Sequence, residues 1–113
     1  SDTIGTSNPE SIKSIFSSLL KNYSDIEFGA HLHSDPVSWY NKVDSAFQAG
    51  CRRFDGAIKG FGGCPMASNE LVGNMPTEKI LSYLNTKKIS NNINILRFES
   101  CYNQSLEIFN KYH

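Results

Sequence analysis

Apolar and polar positions follow two rhythms along this 113-residue chain. Ile12, Ile15, Phe16, Leu19 and Leu20 recur at helical spacing. They follow Asn8-Pro9-Glu10, a capping residue with proline behind it in the first turn, so the pattern predicts a helix from there. From Ile26 to His33 the period falls to two: Ile26, Phe28, Ala30 and Leu32 alternate with Glu27, Gly29, His31 and His33. That is a strand pattern, and it places the two histidines on one face near the strand's C-terminal end. Asp35-Pro36 opens a second helix, with Trp39, Val43, Ala46 and Phe47 as its apolar stripe and Gly50 as its terminator. A second strand is expected over about Cys51 to Ile58, and a glycine-rich loop from Lys59 to about Asn74. Thr77 caps a third helix through about Leu84, and a last helical segment covers roughly Asn94 to Lys111.

Strands alternating with helices imply βαβ crossovers and a parallel sheet. Two strands are too few for a covered sheet, and a (β/α)8 barrel needs about 250 residues. The chain therefore reads as one partial α/β domain over residues 1–113, the C-terminal portion of a TIM barrel whose earlier strands lie elsewhere. The start at Ser1-Asp2-Thr3, with no methionine and no leader-like segment, reads as a cut inside a longer protein.

Composition narrows the function classes. Eleven basic residues balance eleven acidic ones, so no global field draws the chain to nucleic acid or an anionic membrane. The apolar runs are broken by polar residues, and none spans a bilayer. Three cysteines, an odd count without close spacing, disfavour a disulfide framework and fit a reducing compartment.

Two constellations carry chemistry. His31 and His33, at i and i+2 of a strand, can reach one divalent ion; they can equally be polar strand residues with water or backbone partners. Cys64 stands in Gly60-Phe61-Gly62-Gly63-Cys64-Pro65, where the glycines Gly60, Gly62 and Gly63 allow positive φ and close approach to a ligand. A thiol there can move a proton or attack a substrate, or it can be a small apolar group under a tight turn. Asn74 can ligate through its amide oxygen or cap the next turn, and Asp2 can be a polar helper or a turn former. Asp55, mid-strand, is expected either buried with a partner or facing the barrel interior. Cys51 and Cys101 are expected in the core. No dinucleotide or phosphate-loop fingerprint is present.

In order, Asp2-Thr3-Ile4-Gly5, His31-Leu32-His33, the Gly-Phe-Gly-Gly-Cys-Pro loop and Gly73-Asn74 resemble the C-terminal part of the 3-hydroxy-3-methylglutaryl-CoA lyases, from residue 1 to about Leu84. The resemblance implies that His31 and His33 ligate Mg2+ or Mn2+, with Asn74 as a further oxygen ligand or loop holder. It implies that Cys64 is catalytic, that Asp2 lies beside the metal and substrate, and that an acyl-CoA is cleaved to acetyl-CoA and acetoacetate, the chemistry of leucine degradation and ketone-body formation. The related isopropylmalate, homocitrate and citramalate synthases share the histidines and the Gly-Asn but lack this cysteine. Ser34-Asp35-Pro36 replaces the family's aspartate after the second histidine, and Met66 replaces an aromatic residue. The family's first strand, with its arginine and metal-binding aspartate, has no counterpart here. The 113 residues alone are therefore expected to be inactive, with the remaining N-terminal part of the barrel as partner and homodimerisation among the outcomes of an exposed strand edge. A non-catalytic metal-binding or assembly module is the reading from a different class. The compartment implied is the cytoplasm of a bacterium or the mitochondrial matrix of a eukaryote.

Overall fold

The computed structural model describes residues 5–62 and 72–112. Two compact units divide the chain, Ser1–Tyr83 and Leu84–His113.

The first unit opens with helix α1, Pro9–Asn22. Its start is the one the sequence signals. Asn8 Oδ1 accepts from the Ser11 amide at 2.8 Å, and Ser11 Oγ accepts from the Asn8 amide at 3.2 Å, a reciprocal cap that satisfies two of the helix's first donors. Ile12 and Phe16 are buried, whereas Ile15, on the expected stripe, is exposed. Each side chain of that size removed from water contributes about 1.5–3 kcal/mol, so packing rather than propensity holds the helix.

The expected strand Ile26–His33 is shorter and broken. Strand β1 is Gly29–His31 and strand β2 is His33–Ser34, with Leu32 between them. Ile26 is exposed rather than packed. β1 pairs in parallel with β3, Arg53–Asp55, in the register Gly29 to Arg53 and His31 to Asp55. β2 pairs antiparallel with β4, Gly73–Asn74, with His33 opposite Asn74 and Ser34 opposite Gly73. The two histidines thus belong to different ladders. The expected strand from Cys51 to Ile58 reduces to β3; Ile58–Gly60 is a single 3-10 turn in which Lys59 adopts φ +58°.

Helix α2, Trp39–Gln48, connects β2 to β3 and packs on α1 and β2. It starts later than Asp35-Pro36 suggests, because Asp35 first closes a turn: Oδ1 accepts from the Val37 and Ser38 amides at 2.9 and 2.7 Å. These bonds, that from the Ser38 backbone first, hold the Asp35 carboxyl below its ordinary value. Val43 and Ala46 are fully buried, and so, unexpectedly, is Lys42. The helix ends before Gly50, whose φ of +109° suits glycine. Arg52 lies 3.9 Å over the Phe47 ring and donates to the Phe47 carbonyl at 2.9 Å. Helix α3, Thr77–Thr86, buries Ile80, Leu81 and Tyr83, and the Tyr83 hydroxyl donates to Asp44 Oδ1 at 2.6 Å.

In the second unit, Asn94 Oδ1 accepts from the Arg97 amide at 3.1 Å at the start of helix α4, Ile95–Tyr112. Cys101 is exposed on it, against the expectation of a core position; the helix carries apolar residues at mixed spacing and forms no single buried stripe. Cys51, by contrast, is buried as expected. No helix among the described residues is long and apolar enough to cross a membrane.

Candidate active site

Alternation fixes which side chains leave the core. On β1, Ala30 turns inward while Gly29 and His31 face the other way; on β3, Arg53 and Asp55 share that outer face. Asp55 is half-exposed, and it has partners there. His31 Nδ1 stands 3.7 Å from Asp55 Oδ2, and Arg53 Nε stands 3.8 Å from Asp55 Oδ1. The carboxylate faces the Nδ1 side of His31, which leaves Nε2 as the nitrogen that could ligate an ion.

His33 lies next door and inward. Its ring meets that of His31 edge-on, with centroids 5.2 Å apart, although His31 is half-exposed and His33 is 5% exposed. His33 Nδ1 is buried, and no described residue bonds it. A buried imidazole nitrogen without a partner costs free energy unless something occupies its lone pair or accepts its proton.

Asn74, opposite His33 in the ladder, adds an oxygen. Its Nδ2 donates to the Phe61 carbonyl at 2.8 Å, so Oδ1 is the atom left to ligate. Two imidazoles and one amide oxygen suit a divalent cation. The orphaned His33 nitrogen and the committed orientation of Asn74 fit such an ion. Among the described residues, no group of three or more His, Cys, Asp or Glu side chains is placed to hold a metal. A divalent cation held there would need a further donor.

The glycine loop is built backbone against backbone at its stem. A Cβ on Gly60, where φ is +70°, would stand 2.6 Å from the Asn74 carbonyl oxygen, and one on Gly73 would stand 2.6 Å from the Gly60 carbonyl oxygen. Gly62, at φ +86°, leaves no room for a Cβ beside Asn74 Nδ2. The Ala57 amide donates to the Met75 carbonyl and the Thr77 amide to the Ala57 carbonyl, at 3.0 and 2.9 Å. With the Asn74 amide bonded to the Phe61 carbonyl, these bonds hold the two arms of the stem together. Asp2, Gly63 and Cys64 lie outside the described residues. The thiol at Cys51 is a different case: burial pushes it up, and Sγ contacts the Arg53 carbonyl at 3.1 Å, which marks an inert core group.

Two cavities flank the site. One of about 510 Å3 opens between α1 and β1, lined by Ile12, Ile15, Phe16, Leu19, Phe28 and His31 among others. The other, about 240 Å3, opens beside Asn74 and includes Ser34, Trp39, Lys59 and Lys79. The latter offers two ammonium groups, with Lys79 Nζ 5.3 Å over the Trp39 ring.

One contributor escapes the motif reading. Lys42 donates from Nζ to the His33 carbonyl at 2.7 Å and to the Gly5 carbonyl at 3.1 Å. Its signal in the sequence is a lysine at a position of α2 where the stripe of Trp39, Val43 and Ala46 calls for an apolar residue.

A family model described as HMGL-like matches residues 1–104. A hydroxymethylglutaryl-CoA lyase of Bacillus subtilis is 32% identical over 94 residues, covering 83% of this chain and 31% of that protein. An (R)-citramalyl-CoA lyase of Chloroflexus aurantiacus is 33% identical over 84 residues, 74% of this chain and 26% of that protein. The crystal structure of the Bacillus subtilis HMG-CoA lyase superposes with a TM-score of 0.81 at 30% identity, covering 94% of this chain and 35% of that one. The chain thus spans about a third or less of the length of these relatives. Its parallel β1–β3 pair with the α2 crossover is part of a (β/α)8 barrel. Match, superposition and shared architecture together place this chain in the HMGL-like family.

Proposed function

We propose that this chain forms the C-terminal βα part of an acyl-CoA lyase barrel, and that the complete barrel cleaves 3-hydroxy-3-methylglutaryl-CoA to acetyl-CoA and acetoacetate. The observation that carries the reading is the convergence of His31, His33 and Asn74 at one end of the strands, with the stem of the cysteine loop pinned beside them.

His31, His33 and Asn74 Oδ1 would hold a divalent cation, Mg2+ or Mn2+, completed by donors from outside the described residues. Such an ion, when bound, acidifies the substrate's tertiary hydroxyl and polarises its neighbouring oxygens. Asp2 is assigned a place beside the substrate as a polar helper. As the hydroxyl proton passes to a base contributed by the rest of the barrel, the oxygen's electrons form the ketone of acetoacetate, the carbon–carbon bond breaks, and its electron pair remains on the acetyl-CoA side as an enolate. The Cys64 thiol then gives its proton to the enolate carbon. An ordinary thiol, with pKa near 8.5, carries that proton at neutral pH. The 113 residues alone are assigned no turnover, because the arginine and aspartate strand is not among them.

The test is made with the full polypeptide, Mn2+ and the acyl-CoA, following acetoacetate release. Cys64→Ala is expected to lose cleavage by about 10²–10⁴-fold while Mn2+ affinity persists. Unchanged turnover removes Cys64 from its role. Cleavage of citramalyl-CoA in place of the proposed substrate keeps the lyase and reassigns the acyl group. Mn2+ binding with no cleavage of either compound points to a non-catalytic module.

A further inference from the structure

We propose that Lys42 is a positioning residue for the candidate metal centre: its ammonium ties the end of β2, with His33, to the backbone at Gly5. The inference rests on the reading of His31, His33 and Asn74 as metal ligands.

Lys42 sits one turn into α2 on the face that packs against α1 and β2, between Trp39 and Ala46 in the buried stripe, and it is only 2% exposed. A core-facing position of this kind is ordinarily filled by an aliphatic residue, and a buried ammonium without acceptors is strongly disfavoured. Here the acceptors are specific. Nζ donates to the His33 carbonyl at 2.7 Å and to the Gly5 carbonyl at 3.1 Å. Both are backbone oxygens, one on the residue whose imidazole is the buried candidate ligand, the other at the end of Asp2-Thr3-Ile4-Gly5.

The same spot receives a third segment. Gly5 adopts φ +71°, and a Cβ there would stand 2.7 Å from Val72 Cγ1, so the N-terminal segment abuts the return of the cysteine loop. Val72 precedes Gly73 and Asn74, the partners of Ser34 and His33. Lys42 thus joins the end of β2, which bears His33, to the backbone at Gly5, where the segment leading to Asn74 passes. It binds no substrate in this account and acts through the two carbonyls. A residue that departs from the local pattern and satisfies backbone groups under a site is a fixed support for that site.

The closing experiment compares the parent, Lys42→Met, Lys42→Gln and His33→Ala in the full polypeptide. Two quantities are read at a temperature where circular dichroism shows each protein folded: Mn2+ affinity by electron paramagnetic resonance, and the His33 imidazole cross-peaks by NMR of the metal-free protein. Lys42→Met, similar in length but without donors, is expected to weaken Mn2+ about tenfold and to displace the His33 cross-peaks. A role confined to packing lowers the melting temperature and leaves both readouts in place. Parent-like affinity in folded Lys42→Met, with His33→Ala losing the ion, overturns the Lys42 assignment and leaves the metal reading standing. Parent-like affinity in His33→Ala, or no binding by the parent, overturns the metal reading instead; the His33 cross-peaks then decide for Lys42 alone, and unmoved peaks in Lys42→Met reject it. Where Lys42→Met does not fold, Lys42→Gln decides, since its shorter amide cannot bridge both carbonyls: weakened binding supports the bridge and parent-like binding rejects it.

Discussion

The side-chain amide of Asn74 donates from Nδ2 to the carbonyl of Phe61 at 2.8 Å, so one residue closes the loop stem and keeps its Oδ1 out of that bond. The two duties separate by mutation. Asn74→Asp keeps an oxygen donor, now charged, and loses the proton that binds Phe61. It is expected to retain Mn2+ affinity while the amides of Phe61 and Gly62 exchange faster. Asn74→Ala is expected to lose both. Titration with Mn2+ alongside hydrogen exchange at the stem separates the two effects.

Backbone conformation at the stem gives a paired prediction. Gly60→Ala forces a Cβ to 2.6 Å from the Asn74 carbonyl oxygen at φ +70°, and is expected to cost about 2 kcal/mol or more. Lys59 already sits at φ +58° with a side chain, so Lys59→Gly is expected to be neutral or to stabilise by up to about 1 kcal/mol. Urea midpoints of the two variants, moving in opposite directions or with only the first falling, check the pair.

Tyr83 links α3 to α2 through Asp44, and its phenol is raised above the ordinary value, by burial first and then by the Asp44 bond and charge. The sign follows from linkage. The phenol is harder to ionise folded than unfolded, so its contribution is complete below the unfolded value near pH 10 and declines as pH rises above it. Tyr83→Phe is expected to cost about 1.5–3 kcal/mol at neutral pH, the range for a hydrogen bond to a charged group. Thermal melts from pH 8 to 11 are expected to show a steeper alkaline decline in the parent than in Tyr83→Phe.

Asp35 gives the opposite slope. Its carboxyl is held below the ordinary value by the backbone of Ser38 first, so its contribution is present above about pH 4 and fades as acid protonates the folded state. Asp35→Asn is expected to flatten that acid limb. A limb of unchanged steepness, followed by circular dichroism from pH 6 to 2, removes the Asp35 turn as a source of acid sensitivity.

What the sequence made legible is local. The Asn8-Pro9 start of α1 and the Gly50 stop of α2 are read correctly because caps and terminators act within one turn. Strand β4 is invisible in that sense. Gly73-Asn74 reads as a turn, and only pairing with a segment four elements earlier makes it a strand. The break at Leu32 has the same origin, since two partners compete for a run that alternates without interruption. Lys42 violates the stripe of α2, and no local rule announces that two distant carbonyls wait for it. Cys101 faces solvent rather than the core because α4's apolar residues have no single register.

The break at Leu32 bears on how the centre would respond to motion. His31 hangs from a parallel ladder anchored by β3, while His33 hangs from the antiparallel pair whose other member is the return of the cysteine loop. The Leu32 carbonyl also accepts from the Met75 amide at 3.1 Å, so it too is fastened to that return. A displacement of Gly73–Met75 acts on His33 directly and reaches His31 only through one hinge residue. The spacing of the two imidazoles is therefore set by two separate ladders, one shared with β3 and the other with the strand Gly73–Asn74.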